Sequence, residues 1–558
     1  MSASKKSQKK SWTASGSSGV QERVIENWLI NANELSFTIP YAQLLVLKGH
    51  RILHISPKKA TLEQGKDITS IDGDGVVHCY QLKGGDVTLE RWRTEIKPEI
   101  DVMVDVPPRH PSLDDDVEWV CHLVVNGEFK GESLREVYDT RQAWMNRGSK
   151  AFTVIVRGQL LRDFCDAYGA YLPRALDDFS SFLDVYREDG SEVLNKPIVA
   201  GLIEGFFSQI LPDDAKKPSN NEIRQTLNAA AISVAYLLNN KYTKKNHVAI
   251  IEGWLMLLSY AWAVVERSGL DAKLWKPCQA VVEMALEDAF ENLIVELKGR
   301  EHYAEPAEIP YADAYVYKTR VTSLAGLVAA YALHNASKGI EFHRRRDIKD
   351  FLDEVLDKTL VVMKTEGQCV QLALAAVAFD ALGDRSRAQK LSGSCLQALL
   401  HFGNGDGFHD PYTNIQDVLR SELGLTLHPI APSMGRNSYV MEGVILVAAH
   451  LGQRDALAQW WRKISHTSFH TFRPRDSWQW FYWRSPNGRV EGRFPAQTQS
   501  WTALVESARR PDEAIPQQLR EQPHYIPLLL CLMPHRFSAA SVRNMLVALA
   551  AQPGGPHS

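Results

Sequence analysis

Between Leu62 and Gly85 the chain reads LEQGKDITSIDGDGVVHCYQLKGG. Three side chains in this stretch are of the types that phosphodiester hydrolysis uses: Asp67, Gln81 and Lys83. A carboxylate such as Asp67 holds Mg²⁺ through oxygen, and the amide oxygen of Gln81 and the backbone carbonyl of Leu82 supply further oxygen donors. A metal held there polarises a phosphoryl oxygen and lowers the pKa of its bound water. Lys83 can orient or deprotonate that water, or neutralise the charge that builds on the phosphate.

These residues work together only if the chain brings them to one face. The stretch reads as a β-hairpin, with a first strand at about Asp67 to Asp72 and a second from Val76 to Lys83. Asp72-Gly73-Asp74-Gly75 is the turn, because its glycines accept the positive φ of tight hairpins. Side chains alternate along a strand, so Gln81 and Lys83 share a face. A three-residue loop, Gly73 to Gly75, pairs Asp72 with Val76 and sets Asp67 opposite Gln81. A loop of two or four residues sets Asp67 opposite Tyr80, on the wrong face. Gly75 suits the left-handed position of the three-residue loop.

Gly65-Lys66-Asp67-Ile68 followed by Tyr80-Gln81-Leu82-Lys83 resembles the PD-(D/E)xK signature of restriction-endonuclease-like nucleases, and most nearly the Mrr-like group with its QxK variant. The resemblance implies Asp67 as metal ligand, Gln81 in the second ligand position and Lys83 as the catalytic lysine. Gln81 departs from the acidic residue of the commoner pattern. The family also implies a Glu on the first helix that completes the metal site. Glu22 and Glu26 both lie in the helix expected from Val20, and Glu22, nearer its start, matches the family pattern better. The implied activity is that of a DNA endonuclease dependent on Mg²⁺, with Mn²⁺ as substitute, which leaves a 5′-phosphate. RNA is the alternative substrate, and a catalytically inactive scaffold that binds nucleic acid or protein is the alternative role.

The surrounding pattern agrees with such a domain. After a Ser- and Lys-rich tail (1–19), the order is a helix from Val20, a strand at Ile52 to Ile55, the hairpin, a short helix at Leu89 to Ile96 and an apolar strand at Trp119 to Val125. Ser133 and Glu136 form an expected capping box for a helix that ends at Gly148. Ala151 to Val156 is another apolar strand, and strand–helix–strand with apolar strands indicates parallel pairing. The expected α/β restriction-endonuclease-like fold, αβββαβ, covers residues 20–165. From there helical periodicity dominates, so 166–558 is expected to be a large all-α, solenoid-like domain that senses a trigger, binds a protein partner or mediates homo-oligomerisation. By analogy with nucleases fused to helical regions, the whole reads as a bacterial anti-phage defence effector.

Composition bounds the rest. The 558 residues carry a net charge of −3, so nucleic-acid contact must come from a local patch and not from a global basic field. Seven scattered cysteines with no CxxC pair argue against a disulfide framework and fit a reducing cytosol. No apolar h-region marks a secretory signal, and the longest apolar stretch, Val248 to Val265, contains Glu252 and reads as a buried core helix, so no membrane role is expected. His409-Asp410 lies in a glycine-rich loop without a known metal spacing. The aromatic run Trp478 to Trp483 suits core packing more often than base stacking. Arg344 to Arg346 reads as a solvated helix start. No Walker A, GxGxxG or GxSxG motif is present.

Overall fold

The computed structural model describes residues 23, 25–55, 65–114, 117–146, 152–168, 182, 185–186, 188–208, 219–298, 311–339, 344–358, 363–401, 408–426, 437–485 and 487–551. A helical segment at 25–31 ends before α1, Glu34–Leu47. Phe37, Ile39, Tyr41, Leu44, Leu45 and Val46 are all buried, so α1 is apolar on every side, as a core helix is. The helix expected from Val20 is thus divided by a break at 32–33, and a second helix stands where the sequence showed no clear element.

Strand β1 is Arg51–Ile55, β2 is Ile68–Ile71 and β3 is Val77–Lys83. Strands β2 and β3 pair antiparallel, with Ile68 opposite Tyr80 and Ile71 opposite Val77. The Asp72 amide donates to the Val76 carbonyl at 3.0 Å, Gly75 sits at φ +86°, and Asp72 Oδ1 accepts from the Val76 amide at 2.9 Å. This is the three-residue-loop register. A helical run, here α2, then passes through Leu89–Arg91, a π turn at Trp92–Ile96, and Lys97–Asp105. The helix expected to stop at Ile96 therefore continues, because Pro98 falls in the first turn of its last piece, where a missing N–H costs little.

Strand β4, Trp119–Val125, runs parallel to β3; helix α3, Ser133–Asn146, leads to β5, Phe152–Ile155, parallel to β4. The result is a mixed sheet in the order β1-β2-β3-β4-β5. The expected capping box is not formed. The Ser133 hydroxyl donates instead to the carbonyls of Val87 and Lys130, and the Glu136 carboxylate is taken by Arg93. Val77, Cys79, Cys121 and Leu123 face Trp92, Ile96, Ile100 and Met103 to make the core on one side of the sheet. On the other side a hydrogen-bonded chain crosses the strands. His78 Nε2 lies 3.0 Å from Asp72 Oδ2, His78 Nδ1 lies 2.9 Å from His122 Nε2, and His122 Nδ1 lies 2.6 Å from Thr153 Oγ1.

The chain divides into two compact units, Met1–Ile250 with Asp271–Ala285, and Ile251–Leu270 with Leu286–Ser558. The first holds the five-stranded sheet and helices that follow it. The second is mostly helical, but the expectation of an all-α region is corrected by a three-stranded sheet: β6 (Asn437–Ser438), β7 (Ser468–Pro474) and β8 (Gly488–Arg493). Within the aromatic run, Trp480 and Phe481 are buried, and Phe481 packs on Trp262 as core. Asp410 Oδ1 accepts from the amides of Tyr412 and Thr413, which makes the His409-Asp410 loop a self-capped turn. Arg344 pairs with Glu291 and Asp347. One helix among the described residues, His247–Ser268, is long and apolar enough to cross a membrane, and it is mostly buried.

Candidate active site

The end of β3 gathers the hairpin's chemical groups. Gln81 and Lys83 lie on one face of β3, and both are buried. Asp67, just before β2, donates its amide to the Tyr80 carbonyl at 2.8 Å, and its Oδ2 accepts from the Leu82 amide at 2.5 Å. The N–H and C=O of a strand residue leave on the same edge, so the Leu82 carbonyl also faces the Asp67 side.

Two helices that the sequence did not assign to the site complete it. Glu34 begins α1, and its carboxylate lies 3.9 Å from Lys83 Nζ. From α2, Glu99 lies 2.6 Å from Lys83 Nζ and accepts from Gln81 Nε2 at 3.1 Å, while Glu95 lies 3.7 Å from Lys83 Nζ and pairs with Arg91. Glu22 lies outside the described residues, and Glu26 is exposed. Among the described residues ahead of the sheet, the helix acid that the fold brings to Lys83 is Glu34.

Close backbone approaches set these positions. A Cβ on Gly84 would lie 3.0 Å from the Glu34 amide nitrogen, and one on Gly65 would lie 2.2 Å from the Glu99 carbonyl oxygen. The bare glycines let α1 and α2 close on the hairpin ends. Asn126, buried at the end of β4, ties the parts together. Its Oδ1 accepts from the Gly85 amide at 2.7 Å, and its Nδ2 donates to the Leu29 and Ala32 carbonyls at 2.9 Å each.

The electrostatics follow from burial and crowding. Burial pushes the Asp67 carboxyl up to about 7, with Glu34 and Glu99 pushing the same way against the Leu82 amide and Lys83. Burial alone would lower the Lys83 pKa, but Glu34, Glu99 and Asp67 outweigh it and hold the ammonium above its ordinary value.

The donor set fits a hard divalent cation. Asp67, Gln81 and the Leu82 carbonyl are all oxygen donors, of the kind Mg²⁺ takes. Gln81 Oε1 is buried without a hydrogen-bond partner, a state that costs about 1–3 kcal/mol if nothing satisfies it. A cation would satisfy that oxygen and also offset the burial and the repulsion that raise the Asp67 pKa. Among the described residues no three His, Cys, Asp or Glu side chains form a metal cage by themselves, so neutral oxygens must take part. Comparison with protein-family models, with curated proteins and with solved structures finds no match for this chain.

Proposed function

We propose that the first unit is a restriction-endonuclease-like nuclease domain of the PD-(D/E)xK class that hydrolyses DNA with Mg²⁺. The observation that carries this reading is the convergence of Asp67, Gln81, Lys83 and Glu34 at the end of β3. In the bare site carboxylates outnumber cations, so a phosphate would be repelled, which makes the reading metal-dependent by its own charge count. Asp67, Gln81 Oε1 and the Leu82 carbonyl would hold the ion, which when bound polarises the phosphoryl oxygen and acidifies a water.

Lys83 is kept an ammonium by its carboxylates, so it does not act as the base. Its role is to donate to a nonbridging phosphate oxygen and to stabilise the charge that develops there. The proton of the attacking water then goes to a carboxylate, and Glu34, the half-buried acid beside Lys83, is the group for it. The test is cleavage of supercoiled plasmid with Mg²⁺ by wild type, Asp67→Ala and Lys83→Ala. Loss in both variants supports the site, and equal nicking by all three proteins removes it.

A second reading is a non-catalytic scaffold on the same fold. It is favoured by the Glu99 carboxylate, which occupies both Lys83 Nζ and Gln81 Nε2. Calorimetric titration with Mn²⁺ separates the two, since the scaffold predicts no binding that depends on Asp67. In the nuclease reading the protein is a cytoplasmic homo-oligomer and an anti-phage effector, and the helical part answers a trigger or a protein partner. RNA in the same cleavage assay tests the choice of sugar.

A further inference from the structure

Strand β8 forms one edge of the second unit's sheet, whose order is β6-β7-β8. Its register with β7 is unbroken, from Phe469 opposite Arg493 to Pro474 opposite Gly488. Just beyond the strand the Arg475 amide donates to the Asn487 carbonyl at 3.3 Å. That bond marks 475 and 487 as a hydrogen-bonded pair, and such pairs alternate along an antiparallel ladder. Arg489, Glu491 and Arg493 therefore turn their N–H and C=O groups to β7. Gly488, Val490 and Gly492 turn theirs outward, and all three residues are exposed. Among the described residues no further strand pairs with this edge. An exposed row of outward N–H and C=O groups is a template for another strand, and β8 has no proline and no bulge to blunt it.

The sequence of β8, Gly-Arg-Val-Glu-Gly-Arg, answers itself when read antiparallel about Val490. With Val490 opposite the partner's Val490, Gly488 falls opposite the partner's Gly492. These are the outward-turned residues, so each such pair exchanges two hydrogen bonds. Arg489 then stands opposite the partner's Glu491, and Glu491 opposite the partner's Arg489, at the closer, non-hydrogen-bonded positions. A slip of two residues one way sets Arg489 opposite the partner's Arg489, and the other way sets Glu491 opposite the partner's Glu491. Like charges directly opposite destabilise a ladder, so both slips are disfavoured. A slip of one residue faces outward groups with inward ones and makes no ladder. Glu491 already holds two arginines, Arg473 at 2.7 Å and Arg489 at 2.6 Å. Pairing replaces its own Arg489 with the partner's, so each Glu491 keeps two. On the opposite face the glycines are bare, and only the half-exposed Val490 side chains meet.

We propose that β8 is the contact through which two copies of this chain associate, its edge paired antiparallel with the partner's β8 about a two-fold axis at Val490. The two three-stranded sheets then run on as one, and the shared edge is used up, so the assembly closes as a dimer. Two six-residue strands bury little beside a standard interface, so the dimer is weak and depends on concentration. The contact is separate in residues from the phosphodiester site and does not rest on that activity.

The experiment is sedimentation velocity of the full chain from low to high micromolar concentration. The mass of wild type should rise from that of one chain to that of two. Val490→Pro removes an outward N–H and leaves the β7 ladder in place, since proline is tolerated where an edge strand's N–H faces solvent. It should abolish the dimer with an unchanged melting temperature. Arg489→Glu and Glu491→Arg each set like charges opposite across the axis, so each should stay monomeric over the same range. Mixed in equal amounts, the two variants restore both opposite-charge pairs, so the mixture should dimerise where neither does alone. Asp67→Ala should dimerise as wild type does. A wild type that stays monomeric throughout overturns the proposal, and is the result if the edge serves an extended segment of another protein instead. A dimer that survives Val490→Pro or the single charge reversals overturns it too, as does a mixture that stays monomeric.

Discussion

Lys83 Nζ stands 2.6 Å from a Glu99 oxygen, and the same oxygen accepts from Gln81 Nε2. One carboxylate thus fixes the two hairpin residues that a phosphodiesterase would need, and at the same time raises the pKa of Asp67 beside them. Protons and metal compete for Asp67, so metal affinity should fall as pH drops below about 7. Glu99→Gln removes one charge that raises the Asp67 pKa, so the variant should keep its Mn²⁺ affinity to a lower pH than wild type. Calorimetric titration at pH 6 and pH 8 checks this, and an identical pH dependence in both proteins would show that Glu99 does not act on Asp67.

The same shift has a consequence for stability without metal. The folded pKa of Asp67, about 7, lies above the ordinary value of about 3.9 for the unfolded chain. Asp67 therefore contributes stability that is fully present below pH 4 and is lost as pH rises through 7. Asp67→Asn keeps the shape without the charge. With metal chelated, it should be more stable than wild type at pH 8.5 by on the order of 1–3 kcal/mol, and the gap should shrink at pH 5. Urea unfolding at the two pH values measures it; a gap that does not change with pH would place Asp67 in water, not in the interior.

Gly65 and Gly49 both adopt positive φ, but their surroundings differ. Added to Gly65, a Cβ meets the Glu99 carbonyl at 2.2 Å; added to Gly49, it meets nothing within 4 Å. Gly49→Ala should cost only the left-handed backbone term, about 1–2 kcal/mol. Gly65→Ala should cost clearly more, because the backbone of α2 must move, and that movement carries Glu99 away from Lys83. Paired urea melts compare the two, and equal losses would mean that the approach to α2 relaxes freely.

How far the site could be read from the sequence differed residue by residue. Asp67, Gln81 and Lys83 belong to one hairpin, and Gly75 in the left-handed position fixed their register, so local chemistry was enough. Glu34 was hidden because α1 is apolar on all sides and contains Pro40, which leaves no helical stripe to mark it. Glu99 was hidden because Lys97-Pro98 reads as a helix stop, while the preceding π turn lets the helix pass through it. The β6–β8 sheet was hidden for a different reason. Strand β8, GRVEGR, is exposed along nearly its whole length, so it lacks the alternation of a half-buried strand.

Asn126 carries a testable load in this arrangement. It is 1% exposed and satisfies one amide and two carbonyls from two separate segments. Asn126→Ala should destabilise the protein by about 2–4 kcal/mol, since it leaves those buried groups unpaired. Asn126→Asp keeps the acceptor for Gly85 but loses both donors, so it should also be destabilised. Hydrogen exchange at Gly85 distinguishes them: protection should persist in the Asp variant and be lost in the Ala variant. Equal exchange in the two would show that the Gly85 amide does not depend on this side chain.

One proton arrangement that satisfies every link of the chain Asp72–His78–His122–Thr153 keeps His122 neutral. His78 Nε2–H donates to Asp72, His122 Nε2–H donates to His78 Nδ1, and the Thr153 hydroxyl donates to His122 Nδ1. Protonating His122 would turn its acceptor nitrogen into a donor facing a hydroxyl, in a place where burial, then His78 and His50, already push its pKa down to about 3. The unfolded chain takes up that proton near pH 6.5. His122 therefore contributes stability that is present above pH 6.5 and is lost as pH falls towards 3. His122→Gln keeps a donor and an acceptor but cannot titrate, so between pH 6 and pH 4 its stability should fall less steeply than wild type, by up to about 1.4 kcal/mol per pH unit, the slope of one proton. Asp67 works in the opposite direction over part of this range, so the comparison is best made in the Asp67→Asn background, where a slope difference can come only from the histidine chain. Parallel slopes in that background would mean that His122 is as easily protonated in the folded protein as in water.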